Sequence, residues 1–235
     1  MLCERPEVVP ALKGAIVVLP AVTYANVGEL AVDVLVATLC PQPLGSLESA
    51  NVLPVVGNDA FSVGPGTLST ALEAFSLPGR PLVLLQQRAP ACPGRQAAWA
   101  AELVAWLAGC GAAGVLLLSG LDAQLRRDKQ LDSDPCRFLA SSDALRDAVA
   151  AASLPPTAQQ QQQQQQPDLD QHMQESLVLQ PPQLQPPQQS LPELEPEIRE
   201  EELALHHSLP PWPLVQECTA RGLPYIMLGC FAAEG

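Results

Sequence analysis

The chain has 235 residues and a formal net charge of −13, with 25 acidic residues against 12 lysines and arginines. This balance, without a basic patch to neutralise phosphates, argues against nucleic-acid binding. No run of about 18 uncharged apolar residues occurs, so no membrane-spanning helix is expected. Residues 155–213 hold nine acidic residues and one arginine, so they carry −8 of the charge. The remaining 176 or so residues are enough for one well-packed domain.

The seven cysteines and the N-terminus point to an intracellular protein. The cysteine number is odd, no Cys-x-x-Cys occurs, and several cysteines lie in apolar surroundings. We therefore expect reduced, buried thiols rather than a disulfide framework. The N-terminal residues are too polar for a secretory signal. The expected location is the cytoplasm and the nucleus.

The first predicted elements are a buried strand at residues 15–19 and a helix from Asn26 to Leu39, which Pro41 ends. Glu29 and Asp33 form a narrow polar stripe on a helix that is otherwise apolar over most of its circumference. A helix of this kind belongs in a crowded interior or under a partner protein.

The turn that enters this helix has two interpretations. In the first, Asn26 caps the helix and Gly28 permits close packing of strand and helix. In the second, the turn binds an anion at the helix N-terminus. No basic residue lies near it in the sequence, which favours the first interpretation.

Strands and helices then alternate up to residue 152, which indicates an α/β architecture. The stretch Gly64-x-Gly66 is interpreted as a loop, since it lacks the third glycine of a dinucleotide-binding turn. The predicted elements are a short apolar run at 52–56 closed by the turn Gly57-Asn58-Asp59, a hairpin of strands 72–77 and 82–87, a helix at 96–108, a buried strand at 114–119 and a helix at 143–152.

Residues 155–213 are predicted to be a disordered, acidic Pro/Gln-rich insert, because they contain eight consecutive glutamines (159–166) and four Pro-Pro pairs. A short charged helix at 197–207 is compatible with the pattern there. An apolar run at 223–231 is the predicted last strand. Residues 1–154 and 214–235 would then form one domain around the insert, with an apparently truncated C-terminus.

The sequence offers little catalytic chemistry. His172, His206 and His207 all lie in the predicted insert, so the folded part is expected to lack an imidazole for acid–base catalysis or for zinc. No nucleophile elbow and no phosphate-cradling Gly-Lys loop occurs. We therefore predict no enzyme activity and no catalytic, cofactor-binding or metal-binding residue. The charged loop around 122–128 is interpreted as solvated or as a protein-contact surface, although α/β proteins often bind ligands there.

Four segments resemble the proteasome assembly chaperone family. The most specific reads Leu-Pro-Ala-Val at 19–22 and Asn-Val-Gly-Glu-Leu-Ala at 26–31, followed by Asp33. The others lie at 52–58, 73–80 and 118–131, in the family's order and at comparable spacing. A weaker match resumes at 217–235. Four motifs in order make a coincidence improbable.

The resemblance implies a single α/β domain with a central mixed, mostly parallel sheet flanked by helices, similar to the nucleoside phosphorylase fold. It implies a heterodimer with proteasome assembly chaperone 1 that holds 20S proteasome α-subunits, promotes α-ring formation and prevents wrong pairing of half-built rings. It implies no reaction and no cofactor. The expected contact residues are Asn26 and Gly28, which define the local fold, and Arg126, Asp128 and Gln130, which would lie on the surface.

Two other functions remain open at this point. One is a phosphate-using enzyme of nucleoside-phosphorylase-like fold, with phosphate at the turn around Asn26 and Gly28. The other is an adaptor that acts through the Pro/Gln segment. Loss of binding on deletion of residues 155–213 would favour the adaptor over the chaperone.

Overall fold

The computed structural model describes residues 8–58, 68–130, 133–152 and 191–233, with only the backbone of Lys129. The predicted loop at 64–66, Asp59 and the glutamine run lie outside these ranges. The helices are α1 (Val8–Leu12), α2 (Val27–Leu39), α3 (Gln96–Gly109), α4 (Asp143–Ala152), α5 (Pro196–His206) and α6 (Trp212–Arg221), with 3₁₀ turns at Tyr24–Asn26, Ala123–Leu125 and Asp128–Gln130. The strands are β1 (Ile16–Pro20), β2 (Gln42–Ser46), β3 (Val56–Asn58), β4 (Leu68–Thr70), β5 (Leu72–Ser76), β6 (Leu82–Gln87), β7 (Gly114–Asp122), β8 (Cys136–Ala140) and β9 (Tyr225–Ala232).

Seven of these strands form one mixed sheet in the order β2-β5-β6-β1-β7-β9-β8. The four central strands β6, β1, β7 and β9 run parallel, whereas β5 and β8 pair antiparallel with their neighbours. The two remaining strands, β3 and β4, form a separate antiparallel ribbon. The predicted α/β class with a mixed, mostly parallel sheet is therefore confirmed.

The central strands are apolar on both faces because both faces are covered. Val17 and Leu19 of β1 belong to the larger core cluster, whereas Val18 between them belongs to the smaller one. Successive strand side chains point to opposite faces, so the two clusters lie on opposite sides of the sheet. This is the burial pattern of a parallel sheet between two layers of helices.

The helices divide between the two faces. Helix α2 covers one face through Val32 and Val36, which pack in the smaller cluster. Helices α1, α3 and α6 contribute to the larger cluster on the other face, with Trp99, Leu103 and Trp212 among its members. The core therefore has three layers. On its side of the sheet, α2 is the helix that supplies buried residues to the smaller cluster.

The predicted hairpin, the helices at 96–108 and 143–152 and the strands at 15–19, 114–119 and 223–231 are all confirmed within a few residues. The turn expected at Gly57-Asn58 is wrong, because both residues pair with β4 as part of β3. Strands β2 and β8 and helices α1 and α6 had no counterpart in the prediction.

The predicted insert extends too far. Residues 191–213 are not a disordered tract, because they contribute a strand-like bridge, helix α5 and the start of α6. Leu194, Ile198 and Trp212 are at most 3% exposed in the core. The apolar side chains in this stretch bury enough surface to order it despite the prolines around them. Residues 153–190 lie outside the described ranges.

The expectation of buried thiols is met at only one described cysteine. Cys218 is buried, Cys40 is exposed, and Cys92, Cys110, Cys136 and Cys230 are half-buried. All six are free thiols.

Candidate functional site

The outward face of α2 exposes large apolar side chains. Leu30 and Val34, one helical turn apart, are 62% and 56% exposed, and Leu39 at the end of the helix is 41% exposed. The inward face is already occupied by Gly28, Val32 and Val36. We call Leu30 and Val34 the α2 stripe; Leu39, nine residues after Leu30, lies on the opposite side of the helix. Contiguous exposed apolar surface of this kind is typical of protein-interaction sites.

The polar residues of α2 face sideways and anchor the helix to the end of β6. The amide of Gln86 donates to the Glu29 backbone oxygen at 2.9 Å and to Asp33 Oδ1 at 2.5 Å. The Arg88 guanidinium pairs with Asp33 at 3.1 Å and with Glu73 at 3.4 Å. The helix is thus held in place by polar contacts, which leaves the α2 stripe available to a partner.

Glu29 stands in an environment that favours its neutral form. Burial raises its pKa from 4.5 to about 7; a hydrogen bond from its own backbone N–H opposes part of this rise, and the charge of Asp33 adds a smaller rise. Its Oε2 atom is buried and has no hydrogen-bond partner within the described residues. Near neutral pH this carboxyl group therefore exchanges readily between its charged and neutral forms.

The turn before α2 is shaped by backbone geometry rather than by a side-chain cap. Ala25 and Asn26 both adopt the left-handed region, with φ of 53° and 52°. The prediction that the Asn26 side chain caps the helix is wrong, because it makes no capping hydrogen bond. The prediction for Gly28 is supported, since a Cβ there would lie 2.2 Å from the Leu118 backbone oxygen of β7. Asn26 is exposed and Gly28 is buried.

The charged loop after β7 is internally bonded. Arg126 donates to the backbone oxygens of Gln130 and Ser133, each at 2.6 Å. The Gln130 side chain accepts from the Arg127 backbone N–H at 2.7 Å and donates to Glu195. Because Gln130 is only 3% exposed, it positions the loop and is not the surface contact that the sequence predicted. Between Arg126 and Gln130, the described side chains of Arg127 and Asp128 are the exposed ones.

Arg137 is a central residue of this region that sequence reasoning missed. Its guanidinium is 2% exposed and pairs with Glu195 at 3.2 Å, which helps to hold the pKa of that carboxyl below its usual value. It also donates to the backbone oxygens of Asp134 at 2.5 Å and Cys136 at 2.8 Å. An arginine inside the apolar run at 136–140 is the signal that could have identified it.

Between Glu195 and the loop lies a depression of about 480 Å³, lined by Arg127, Asp128, Gln130, Glu195, Glu197 and Ile198. Its charged lining has both signs. It offers a polar surface to a partner rather than an enclosed ligand pocket.

The crevice at the carboxyl ends of β1 and β7 is filled by the chain itself. After β1 the chain enters α2 on one face, whereas Ala123 and Leu125 after β7 pack on the other. Open α/β sheets bind ligands at such a point. Here the backbone oxygen of Tyr24 lies only 2.4 Å from where a Cβ on Gly120 would stand. The turn at Tyr24 therefore packs directly against β7 at Gly120.

A histidine closes the same crevice, which corrects the expectation that the folded part lacks an imidazole. His206 of α5 contacts the Tyr24 hydroxyl at 2.9 Å and Asp122 Oδ2 at 3.3 Å through one nitrogen, Nε2. The fully buried Glu202 accepts from the Asp122 backbone N–H at 2.7 Å and from the Trp212 indole at 3.3 Å. These contacts attach α5 to the end of β7, so their evident role is structural.

Metal-binding clusters and membrane-spanning helices are both absent from the described ranges. No group of three or more histidine, cysteine or acidic residues there is arranged to hold a metal ion. Within the same ranges, no helix has the length and apolar character needed to cross a bilayer.

Curated relatives resemble the chain over part of its length. A Nematostella vectensis protein named proteasome assembly chaperone 2 is 40% identical over 134 residues, covering 55% of this chain and 55% of that protein. The human protein of the same name is 35% identical over 136 residues, covering 57% of this chain and 52% of that protein. The chain spans about half the length of these curated relatives.

Solved structures share the fold. Pyrococcus furiosus PbaA, described as an archaeal homolog of proteasome-assembly chaperone, superposes with a TM-score of 0.60 at 14% identity, covering 99% of this chain and 76% of its own. A Thermoplasma acidophilum protein of unknown function gives a TM-score of 0.60 at 12% identity, covering 96% and 70%. At these identities the likeness concerns the fold alone. The PAC2 family profile matches residues 17–228, and the chain therefore belongs to the PAC2 family.

Proposed function

We propose that this chain is an assembly chaperone for the 20S proteasome, a binding protein without enzymatic activity. The observation that carries the proposal is the 33–40% identity to proteins named proteasome assembly chaperone 2 over more than half of the chain. The filled crevice supports it, since Tyr24 and His206 stand where an α/β enzyme would bind its substrate. The proposed locations are the cytoplasm and the nucleus.

The proposed partner is proteasome assembly chaperone 1, in a one-to-one heterodimer. The α2 stripe is the surface that we assign to this contact, because Leu30 and Val34 expose apolar area on a helix that Gln86 and Arg88 already anchor to the sheet. Aliphatic side chains that are exposed alone and buried in a complex give a hydrophobic driving force of about 25 cal/mol per Å². The heterodimer would hold 20S α-subunits, promote α-ring formation and keep half-built rings from pairing wrongly.

The polar loop is the second proposed contact. Arg127 and Asp128 are exposed beside the depression at Glu195, and Arg126 and Gln130 hold the loop in shape from below. We assign this surface to an α-subunit. Charged groups at the rim of an interface favour specificity and rapid association more than affinity.

The test is co-expression of the tagged chain with proteasome assembly chaperone 1 from the same source, followed by affinity capture and identification of the bound proteins. Recovery of the partner at one to one with 20S α-subunits, but without β-subunits, supports the proposal. Recovery of neither the partner nor α-subunits contradicts it.

Two alternatives are tested on the same samples. An enzyme that uses phosphate predicts thermal stabilisation of the purified chain by inorganic phosphate, which the filled crevice gives no reason to expect. An adaptor acting through the Pro/Gln segment predicts loss of all partners when residues 157–186 are deleted. The shorter deletion is used because a deletion of residues 155–213 would also remove α5 and the buried Trp212.

A further inference from the structure

Two cysteines lie directly opposite each other at one end of the sheet. Cys136 is the first residue of β8, and its partner in the antiparallel pairing with β9 is Cys230. Side chains of directly opposed residues lie on the same face of a sheet. The two thiols therefore project on one side of the same pair of strands.

The hydrogen bonds between β8 and β9 show whether Cys136 and Cys230 occupy a hydrogen-bonded or a non-hydrogen-bonded position of the ladder. The backbone N–H of Phe231 donates to the Pro135 oxygen at 3.0 Å, and the N–H of Ser141 donates to the Tyr225 oxygen at 3.0 Å. These bonds mark the hydrogen-bonded positions of the ladder, which alternate with non-hydrogen-bonded ones.

Cys136 and Cys230 fall at a non-hydrogen-bonded position. The Cys136 N–H accordingly points out of the ladder and donates to Asp134 Oδ1 at 2.7 Å. Cα atoms at such a position are about 4.5 Å apart, which lies within the range of about 4.4–6.8 Å that disulfides span. The backbone thus already has a spacing at which the two sulfurs can bond.

Both thiols are partly accessible to solvent. Both residues are half-buried free thiols. Burial, and next the neighbouring Cys230 sulfur, raise the pKa of the Cys136 thiol to about 12. Among the other cysteines in the described ranges, none is the register partner of another cysteine in the sheet.

We propose that Cys136 and Cys230 form a reversible disulfide, with a low-molecular-weight disulfide as the oxidant. The Cys230 thiol gives up its proton, and its sulfur attacks one sulfur of the oxidant; the displaced small thiolate takes up a proton and leaves as the first small thiol. Cys136 then gives up its proton and attacks the Cys230 sulfur of the mixed disulfide, which releases the second small thiol. Two protein thiols are oxidised, and one small disulfide is reduced to two thiols.

The bond would stiffen the region around the polar loop. Arg137 follows Cys136 directly and bonds to Asp134 and to Glu195. Strand β8 also holds the segment after residue 190, since Phe138 accepts from the Leu194 N–H at 2.7 Å. A covalent link at Cys136 would therefore fix the strand end to which these contacts attach.

The experiment exposes the full chain to oxidised glutathione, blocks remaining thiols with N-ethylmaleimide and maps the peptides by mass spectrometry without reduction. We expect a peptide pair joined through Cys136 and Cys230, two fewer alkylated thiols, and recovery of both thiols after reduction. We also expect slower amide exchange in residues 133–140 of the oxidised chain.

Single variants test the order of the steps. Cys136→Ser should accumulate glutathione on Cys230, because the second thiol is missing, whereas Cys230→Ser should leave Cys136 unmodified. Cys92→Ser, a half-buried thiol elsewhere, is the matched control and should form the cross-link as the unaltered chain does. The proposal is overturned if the unaltered chain gives no cross-link, or carries glutathione on either cysteine without closing the disulfide.

Discussion

At the scale of single residues, close backbone packing explains why particular positions must be small. Gly28 brings α2 against β7, and Gly120 brings β7 against the turn at Tyr24. In both cases a Cβ would lie under 2.5 Å from a backbone oxygen, which cannot move aside as a flexible side chain could. The close contact could be anticipated at Gly28 from its place in a strand–helix turn, but not at Gly120, which lies inside an apolar run.

Gly28→Ala should therefore destabilise the fold. The added methyl group meets the Leu118 oxygen at 2.2 Å, so α2 must shift, and overpacking of this kind costs about 1–3 kcal/mol of unfolding free energy or more. Urea unfolding of both proteins measures the change. Gly109→Ala is the control, since its Cβ meets nothing within 4 Å at the end of α3. It should be neutral or stabilising by up to about 1 kcal/mol, and an equal loss in both variants would contradict this account.

Glu29 should make stability depend on pH. Its pKa is raised to about 7 in the folded protein, so the folded state binds the proton more tightly than the unfolded state does. This contribution is complete below about pH 4.5 and is lost as the pH rises to about 7. Glu29→Gln removes the titration, so the variant should be more stable than the unaltered chain at pH 8 by about 1–2 kcal/mol, after allowing for solvent screening.

Chemical denaturation of the Glu29→Gln variant at pH 5 and at pH 8 provides the comparison. At pH 5 the two proteins should differ little, because the native carboxyl group is then mostly neutral. Glu200→Gln, at an exposed position, serves as the control and should change neither value. A gain of the same size at both pH values would show that the titration of Glu29 is not its cause.

Arg137 should be among the most sensitive charged residues of the described chain. Arg137→Met leaves Glu195 without its ion pair and frees two backbone oxygens, and the loss of these partners costs about 1–3 kcal/mol or more. The free energy of unfolding measures this loss. Arg221→Met breaks the exposed pair with Glu217 on α6 and should cost no more than about 0.5 kcal/mol. Comparable losses would show that burial does not set the effect.

At the scale of secondary structure, the sequence predicts the central layers better than the periphery. Strands β1, β7 and β9 and the hairpin of β5 and β6 are near-continuous apolar runs between turn residues, so their existence follows from pattern alone. Strand β8 contains the buried Arg137, which breaks its apolar pattern, and β2 carries Pro43 and Gly45, which read as loop residues. Both lie at the sheet edges, where partners that sequence cannot reveal decide the conformation.

In the segment before β9, the amino-acid composition predicts disorder, whereas the spacing of the apolar residues is that of packed structure. Prolines and glutamates around 191–213 indicated a disordered insert, yet Leu194, Ile198 and Trp212 are spaced so that a bridge and two helices bury them. His206 lies in the same segment. Because the insert was predicted to extend to residue 213, the sequence wrongly indicated that the folded part lacks an imidazole. The contact role of Asn26, Gly28, Arg126, Asp128 and Gln130 stays a prediction, and which of them are exposed or buried follows only from the three-dimensional structure.

Two deletions should distinguish the Pro/Gln tract from the folded residues that follow it. A chain lacking residues 157–186 keeps every described element, and a shorter connection changes the entropy of loop closure only slowly with length. Its thermal midpoint should stay within a few degrees of the unaltered chain, whereas a chain lacking 155–213 should lose cooperative unfolding. Calorimetry provides the measurement, and a cooperative transition in both would contradict the role given to α5 and Trp212.

At the scale of the whole molecule, the interior of the fold is well packed, whereas part of its surface is apolar and exposed. The sheet is covered on both faces, the crevice at its carboxyl edge is filled, and α2 nevertheless exposes Leu30 and Val34. Apolar surface on an otherwise well-anchored helix is costly to leave in water. We accordingly expect the chain to be poorly soluble alone and well behaved with its proposed partner, as a sedimentation comparison of the two samples would measure.

We propose above all that the α2 stripe binds proteasome assembly chaperone 1. The most direct test of this proposal is native mass spectrometry of the co-expressed pair, with Leu30→Asp/Val34→Asp compared against Leu205→Asp, which alters an equally exposed leucine on α5. We predict a one-to-one complex for the unaltered chain and for Leu205→Asp, and at least a tenfold loss of complex for the α2 variant with its fold intact by circular dichroism. An undiminished complex in the α2 variant would contradict the account.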